Sequence, residues 1–145
     1  MLYLHGIGHF HPENVITNEF LEELDIGTTE EWIMERVGIH TRRTVLPLEY
    51  IKQTKNGDPR QSFDAALYSN ADTGAAAARA AIARAGITTE DIGLVVSGNC
   101  APDHVCPAES ASVAAALGID VPFVPDETLR AALADAAKIE EQHEP

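Results

Sequence analysis

Residues 70–118 constrain the fold most tightly, because an apolar run stands there between two stretches rich in small side chains. The run Ile-Gly-Leu-Val-Val-Ser at 92–97 is bounded by turn residues, which is typical of a strand buried on both faces of a sheet. An alanine-rich helix is predicted over 75–85 and a second small-residue helix over 107–117. Small side chains let a helix approach a sheet closely, so this order predicts a layered α/β fold.

The ends of these helices carry recognisable signals. Asp72 or Thr73 is placed to open the first helix, and Gly86 is placed to end it. Gly118 ends the second in the same way. The alanine-rich helix is therefore expected to pack tightly.

The N-terminal forty residues predict one strand and two short helices. Residues 2–7 read as a strand that joins 92–97 in the same sheet, with the 75–85 helix packed against it. In the first helix, Thr17 or Asn18 is expected to cap the start and Gly27 to close the end. In the second, Thr28 or Thr29 is expected to cap the start in a capping box with Glu31, and Gly38 to close the end.

Two stretches are less regular. Periodicity fades from 44 to 70, which predicts a long excursion with a helical turn near 63–67. Long loops inside compact domains are usually functional or mobile, so both a site and an interface stay open as what this one covers. Residues 121–124 are able to begin a further strand. The acidic tail at 125–145 predicts an amphipathic helix, which divides the chain into a domain at 1–124 and a helical tail.

Charge and composition exclude several classes of function. Ten Lys and Arg against 23 Asp and Glu give a net charge of −13, which repels phosphate backbones and argues against nucleic acid as a partner. No apolar run approaches the ~20 residues of a membrane span, and no secretory signal is visible. Two cysteines fit a reducing compartment. We therefore expect a cytoplasmic protein without a membrane partner.

A phosphate-bearing ligand would need a local basic patch, and the dense one in this chain consists of Arg36, His40, Arg42 and Arg43. Trp32 and Arg36 stand one helical turn apart, so an indole and a guanidinium project from one side. The pair is suited to stack an adenine and to meet a phosphate. The alternative is a partly buried tryptophan that anchors the helix beside a surface arginine.

Metal binding is not expected. Cys100, His104 and Cys106 include zinc-type ligands but lack a fourth ligand and a recognisable spacing. The N-terminal histidines at 5, 9 and 11 are explained by a strand edge or a turn. Gly6-Ile7-Gly8 lacks the third glycine and the following helix of a dinucleotide-binding loop.

Three blocks of sequence together resemble the N-terminal part of β-ketoacyl-acyl-carrier-protein synthase III, a family of the thiolase superfamily. The first contains Thr-Asn at 17–18 and Thr-Thr-Glu-Glu-Trp-Ile-Met-Glu-Arg-Val-Gly-Ile at 28–39. The others are Ala-Gly-Ile at 85–87 leading to Asp-Ile-Gly-Leu-Val-Val-Ser-Gly at 91–98, and Pro-Ala-Glu-Ser-Ala-Ser at 107–112 leading to Leu-Gly-Ile at 117–119. The likeness covers about 1–123, and the 44–70 connection is longer than the family's usual one.

This resemblance implies a partial thiolase-like layered α/β fold, an incomplete N-terminal half followed by the C-terminal amphipathic helix. It implies a homodimer whose active-site cysteine takes an acyl group from coenzyme A and condenses it with malonyl-acyl-carrier protein. Coenzyme A thioester would be a substrate, and no permanently bound cofactor is implied. Acyl carrier protein would be a partner.

The family's catalytic Cys, His and Asn have no match here. Its nucleophile follows a strand that would begin at 121–124, and both Cys100 and Cys106 precede that position. Covalent catalysis needs nucleophile, base and oxyanion site together, so no catalytic residue is assigned. The 145-residue chain alone is expected to be inactive. Alternatives are a non-catalytic coenzyme A- or carrier-protein-binding or dimerisation module, or an inactive truncated product.

The resemblance also implies four substrate-binding residues. Thr28, Trp32 and Arg36 match the residues that line the mouth of the family's coenzyme A tunnel. Cys106 lies in the matching loop that crosses the dimer interface and closes the partner's acyl pocket. A small apolar side chain in a buried turn is the alternative for this cysteine.

Overall fold

The computed structural model describes residues 3–119. The expected strand at 121–124 and the helical tail at 125–145 lie outside these residues. In chain order the elements are β1 (Asn14–Thr17), α1 (Asn18–Glu23), α2 (Glu30–Arg36), β2 (Thr41–Thr44), α3 (Leu48–Thr54), α4 (Pro59–Ala65), α5 (Asn70–Ala85), a 3₁₀ turn (Thr89–Asp91) and α6 (Glu109–Leu117).

Threonine caps open both N-terminal helices, as the sequence predicts. The Thr17 hydroxyl accepts a hydrogen bond from the Phe20 amide at 3.0 Å, which fixes the start of α1. The Thr29 hydroxyl accepts from the Trp32 amide at 3.2 Å, which fixes the start of α2. Because Thr29 is the cap, Glu31 is the second residue of the helix, and the expected capping box does not form.

The first layer is small and is held by one apolar cluster. β1 and β2 pair antiparallel, with Thr17 opposite Thr41. Behind them Phe20 and Leu24 of α1 pack with Ile51 of α3, and all three are buried. This cluster fixes α3 against α1.

The prediction for 44–70 is wrong, because the stretch contains two helices. Burial of Ile51 on one face of α3 stabilises this helix. Asp58 caps α4 by accepting from the Arg60 amide at 3.0 Å, with Pro59 at the first helical position. Short helices of this kind depend on tertiary packing and local caps, so weak periodicity conceals them.

The second layer is the pair α5 and α6. A capping box between Ser69 and Asp72 starts α5 at Asn70, a little earlier than predicted, and Gly86 ends it in the left-handed conformation. α6 and its end at Gly118 are as predicted.

The predicted strands at 2–7 and 92–97 are not strands in the described residues. Neither segment forms a regular element, and the only sheet among the described residues is the β1–β2 pair. A strand needs a hydrogen-bonding neighbour as well as an apolar pattern, and no described segment supplies one. Both nevertheless lie against α5, as expected. The Ile7 carbonyl accepts from the Arg84 guanidinium at 2.6 Å, and residues 92–98 border a cavity of about 460 Å³ with α5 and α6.

Within residues 3–119 no helix combines the length and the apolar character that crossing a bilayer requires.

Candidate functional site

Helix α2 presents a tryptophan and an arginine to solvent. Ile33 faces inward and is 4% exposed, whereas Trp32 is 53% exposed and Arg36 is exposed in the last turn. Residues four apart lie on the same side of a helix, so the indole and the guanidinium share the outer face. About half of Trp32 is therefore open to a planar ligand, and the buried half also fits a residue that anchors the helix.

The entry to α2 holds a polar group without a partner. The Oγ1 atom of Thr28 is buried and has no hydrogen-bond partner among residues 3–119. A buried hydroxyl without a partner costs about 1–3 kcal/mol. The adjacent helix start is tied to α1, because the Glu30 amide donates to a carboxylate oxygen of Glu22 at 2.9 Å. The end of α2 that carries Thr28 is therefore held in place.

The arginines of the basic patch differ in whether they make hydrogen bonds within the chain. Arg42 donates to Asn18 Oδ1 at 2.6 Å, which joins β2 to α1, and Arg43 donates to two backbone carbonyls at 3.1 Å. Arg36 makes no hydrogen bond or ion pair within the described part of the chain. Of the three arginines, it is the one for which none of the donors has a partner among the described residues.

Cys106 lies in the loop formed by residues 99–107, which precedes α6. Its thiol is free and the residue is exposed in the single chain. The loop is attached to the start of α5: the Asn70 amide donates to Asp103 Oδ2 at 2.7 Å, and its side chain donates to the Ala101 carbonyl at 2.9 Å. Cys106 thus belongs to a tethered surface loop, separate in sequence from the α2 residues.

Among the described residues no three His, Cys, Asp or Glu side chains are placed to hold a metal ion. Cys100 and Cys106 are both free and exposed. The rings of His9 and His11 lie 5.3 Å apart by centroids and form a tilted pair.

Two contacts of the 44–70 stretch were not predictable from the sequence. The Tyr68 hydroxyl donates to both carboxylate oxygens of Glu13, at 2.9 and 3.0 Å, and this hydrogen bond raises the pKa of Tyr68. The Phe63 ring meets the His104 ring edge-on at 5.6 Å. Each pair joins residues far apart in the chain, so no local pattern signals it.

No protein-family model matches the sequence. A β-ketoacyl-[acyl-carrier-protein] synthase III of Symbiobacterium thermophilum is 40% identical over 113 residues, which are 78% of this chain and 28% of that protein. The solved structure of 3-oxoacyl-[acyl-carrier-protein] synthase III from Aquifex aeolicus matches 79% of this chain and 30% of its own, at 26% identity and a TM-score of 0.62. The priming β-ketosynthase of the R1128 polyketide biosynthetic pathway matches 81% and 29%, at 28% identity and a TM-score of 0.59.

The chain resembles the N-terminal part of β-ketoacyl-acyl-carrier-protein synthase III. It spans 28% of the Symbiobacterium synthase III and 30% of the Aquifex synthase III. The similarity confirms the predicted fold class, a partial thiolase-like α/β fold. The synthase III relatives are condensing enzymes, which supports the acyltransferase family. The roles of Thr28, Trp32, Arg36 and Cys106 stay predictions.

Proposed function

We propose that this chain is the N-terminal portion of an acyltransferase of the synthase III type, and that the outer face of α2 forms part of its coenzyme A site. The observation that carries the proposal is the half-exposed Trp32 one helical turn from Arg36, whose donors are available. An indole stacks well on an adenine, and a guanidinium pairs well with a phosphate. Thr28 adds a buried hydroxyl that lacks a partner in the described part.

The charges of α2 favour one orientation of the ligand. Glu30 and Glu31 occupy the first turn, where their negative charge repels phosphate, and Arg36 occupies the last. The phosphate groups of coenzyme A would therefore lie toward the C-terminal end of α2, with the adenine against Trp32. Because the whole chain carries a net charge of −13, this local cation is needed to attract an anionic ligand.

In the complete reaction, an acyl group from coenzyme A would be condensed with malonyl-acyl-carrier protein in a homodimer. Coenzyme A thioester acts as a substrate in this scheme and acyl carrier protein as a partner. Cys106 would extend across the dimer interface to the partner's acyl pocket. No side chain of this sequence matches the catalytic Cys, His and Asn, so the chain would supply binding surfaces and not the chemistry.

The binding step is testable on this chain directly, because Trp32 is its single tryptophan. We expect coenzyme A to change the indole fluorescence saturably, and calorimetry on Trp32→Ala to give an affinity weaker by about 1–3 kcal/mol. Unchanged affinity with lowered stability would return Trp32 to an anchoring role.

The phosphate contact has a matched control. Arg36→Gln and Arg60→Gln each remove one positive charge, but Arg60 lies on α4 with a side chain that is 93% exposed. We expect Arg36→Gln alone to weaken binding, and more at low salt than at high salt, because an exposed charge contact is screened. Equal losses in both variants would mean that only the net charge matters.

A second candidate is a non-catalytic binding or dimerisation module, or an inactive truncated product, and the missing match to a catalytic set favours it for the isolated chain. Turnover of acetyl-coenzyme A with malonyl-acyl-carrier protein separates the two. We expect none from the 145 residues alone. Turnover would refute both alternatives, whereas coenzyme A binding without turnover would exclude the inactive product.

A further inference from the structure

Helix α4 has an unusual environment for a helix in a folded chain, because none of its residues is buried. Its largest apolar side chain, Phe63, is 51% exposed. The ring of Phe63 meets His104 of the 99–107 loop edge-on, with centroids 5.6 Å apart and an interplanar angle of 62°. Such an arrangement is favoured between aromatic rings. The main aromatic contact of α4 is therefore with the 99–107 loop.

The same loop is held at two further points. The first residue of α5, Asn70, donates to Asp103 and to the Ala101 carbonyl, at 2.7 and 2.9 Å. The Asp103 amide donates to a carboxylate oxygen of Glu109 in α6 at 3.2 Å. The anchors at 101 and 103 are hydrogen bonds at helix starts, whereas the anchor at 104 is the ring contact with α4.

Cys106 follows the last of these anchors by two residues. Between His104 and the start of α6, Val105 is 99% exposed and Cys106 is exposed, so neither packs on the described residues. The position of Cys106 therefore depends on two points, His104 before it and the start of α6 at Ala108 after it. Phe63 contacts the first of these two points, because its ring meets the ring of His104 edge-on.

We propose that α4 positions the loop that carries Cys106, with Phe63 as a positioning residue that acts through His104. This inference deepens the proposed function and rests on it in one respect: a fixed Cys106 matters for acyl-chain discrimination only if the loop reaches an acyl pocket. On that basis α4 sets the shape of the pocket's closing loop. The chemical class concerned is an acyl thioester.

The contact is tested by nuclear magnetic resonance on the 145-residue chain, in which the imidazole signals of His104 are assigned through His104→Gln. Phe63→Leu keeps an apolar side chain but removes the ring. We expect the ring-current shift of His104 to disappear and amide hydrogen exchange over 99–107 to rise by about three- to tenfold. Phe63→Tyr restores the ring, and both observables should return to the wild-type values.

Leu67→Ala is the matched control, because Leu67 is 55% exposed and lines the neighbouring cavity with Phe63 but does not border the cleft at His104. It should leave both observables unchanged. Unchanged His104 shifts and exchange in Phe63→Leu would overturn the proposal. A wild-type spectrum with no nuclear Overhauser effect between the two rings would also overturn it, even if the variants failed to fold.

These readings are independent of coenzyme A. If the ligand fails to bind at Trp32 while Phe63→Leu loosens the 99–107 loop and Phe63→Tyr restores it, the proposed function fails and the positioning role of Phe63 stands. If coenzyme A binds at Trp32 but Phe63→Leu leaves the 99–107 loop unchanged, the proposed function stands and the positioning role of Phe63 fails.

Discussion

The close approach of the N-terminal segment to α5 predicts a large cost for Gly8→Ala. A Cβ atom at Gly8 would overlap the backbone carbonyl oxygen of Ala77 and lie 2.5 Å from the backbone nitrogen of Ala81. Both atoms belong to the α5 backbone, so neither is able to rotate away as the end of a side chain would. The segment itself has to move off the helix.

The magnitude follows from the geometry and from a matched glycine. Overpacking costs about 1–3 kcal/mol, and contact with helical backbone favours the upper end of this range. Gly93 also lies outside the regular elements, and a Cβ there meets nothing within 4 Å. Gly93→Ala should therefore be neutral or more stable by about 0.4–1 kcal/mol, since alanine restricts the unfolded chain. The two variants should differ by about 2–3 kcal/mol in the free energy of unfolding.

Urea denaturation followed by circular dichroism measures this difference, with both variants compared at the same protein concentration. Hydrogen exchange over residues 77–85 provides a local measurement, and only Gly8→Ala should accelerate it. Equal urea midpoints and equal exchange in the two variants would refute the packing of residues 3–10 on α5.

Three further predictions concern charge, specificity and association. The Ser69 hydroxyl and amide hold the pKa of Asp72 below its ordinary value of 3.8. Ionised Asp72 therefore contributes stability above that pH, and this contribution is lost as the pH falls through the lowered pKa. Acid denaturation of Asp72→Asn should lack this pH-dependent loss of stability. In a form that carries the catalytic residues, Cys106→Phe should shift preference toward short primers, by about 0.8 kcal/mol for each CH₂ no longer buried, and competition between acetyl- and octanoyl-coenzyme A measures it. Light scattering of the isolated chain should report association, because Leu94 and Val96 are exposed; a compact, cooperatively melting monomer would contradict this.

The helix ends were the most predictable part of the fold. The Thr17 cap and the glycines at 86 and 118 depend on local chemistry, namely a side-chain acceptor and a left-handed backbone, and these are visible in a few residues. α3 and α4 were missed for the opposite reason. Leu48 and Ile51 share one face of α3, but the helix has only 7 residues and is too short to show a clear period. Ile51 becomes a core residue only when α3 meets α1.

The candidate site divides in the same way. The spacing of Trp32 and Arg36 on one helical face follows from the sequence, since it needs only the period of a helix. That Arg42 is engaged by Asn18 while Arg36 is available depends on how β2 meets α1, and the sequence carries no sign of it. The edge-on contact of Phe63 with His104 likewise arises from packing of distant segments.

The two failed strand predictions share a physical cause that also bears on function. The 92–97 run has the composition of a strand covered on both faces, yet Leu94 is 46% and Val96 is 78% exposed. An apolar run of this kind indicates that both faces of the segment are covered. Among the described residues, only α5 and α6 cover it, and they lie on one side. The α2 face does not depend on the missing sheet neighbour, because its cap is local and the α1 contacts that hold it lie within the described residues. Coenzyme A binding at Trp32 can therefore be tested on this chain even though its layered sheet is incomplete and its turnover is expected to be absent.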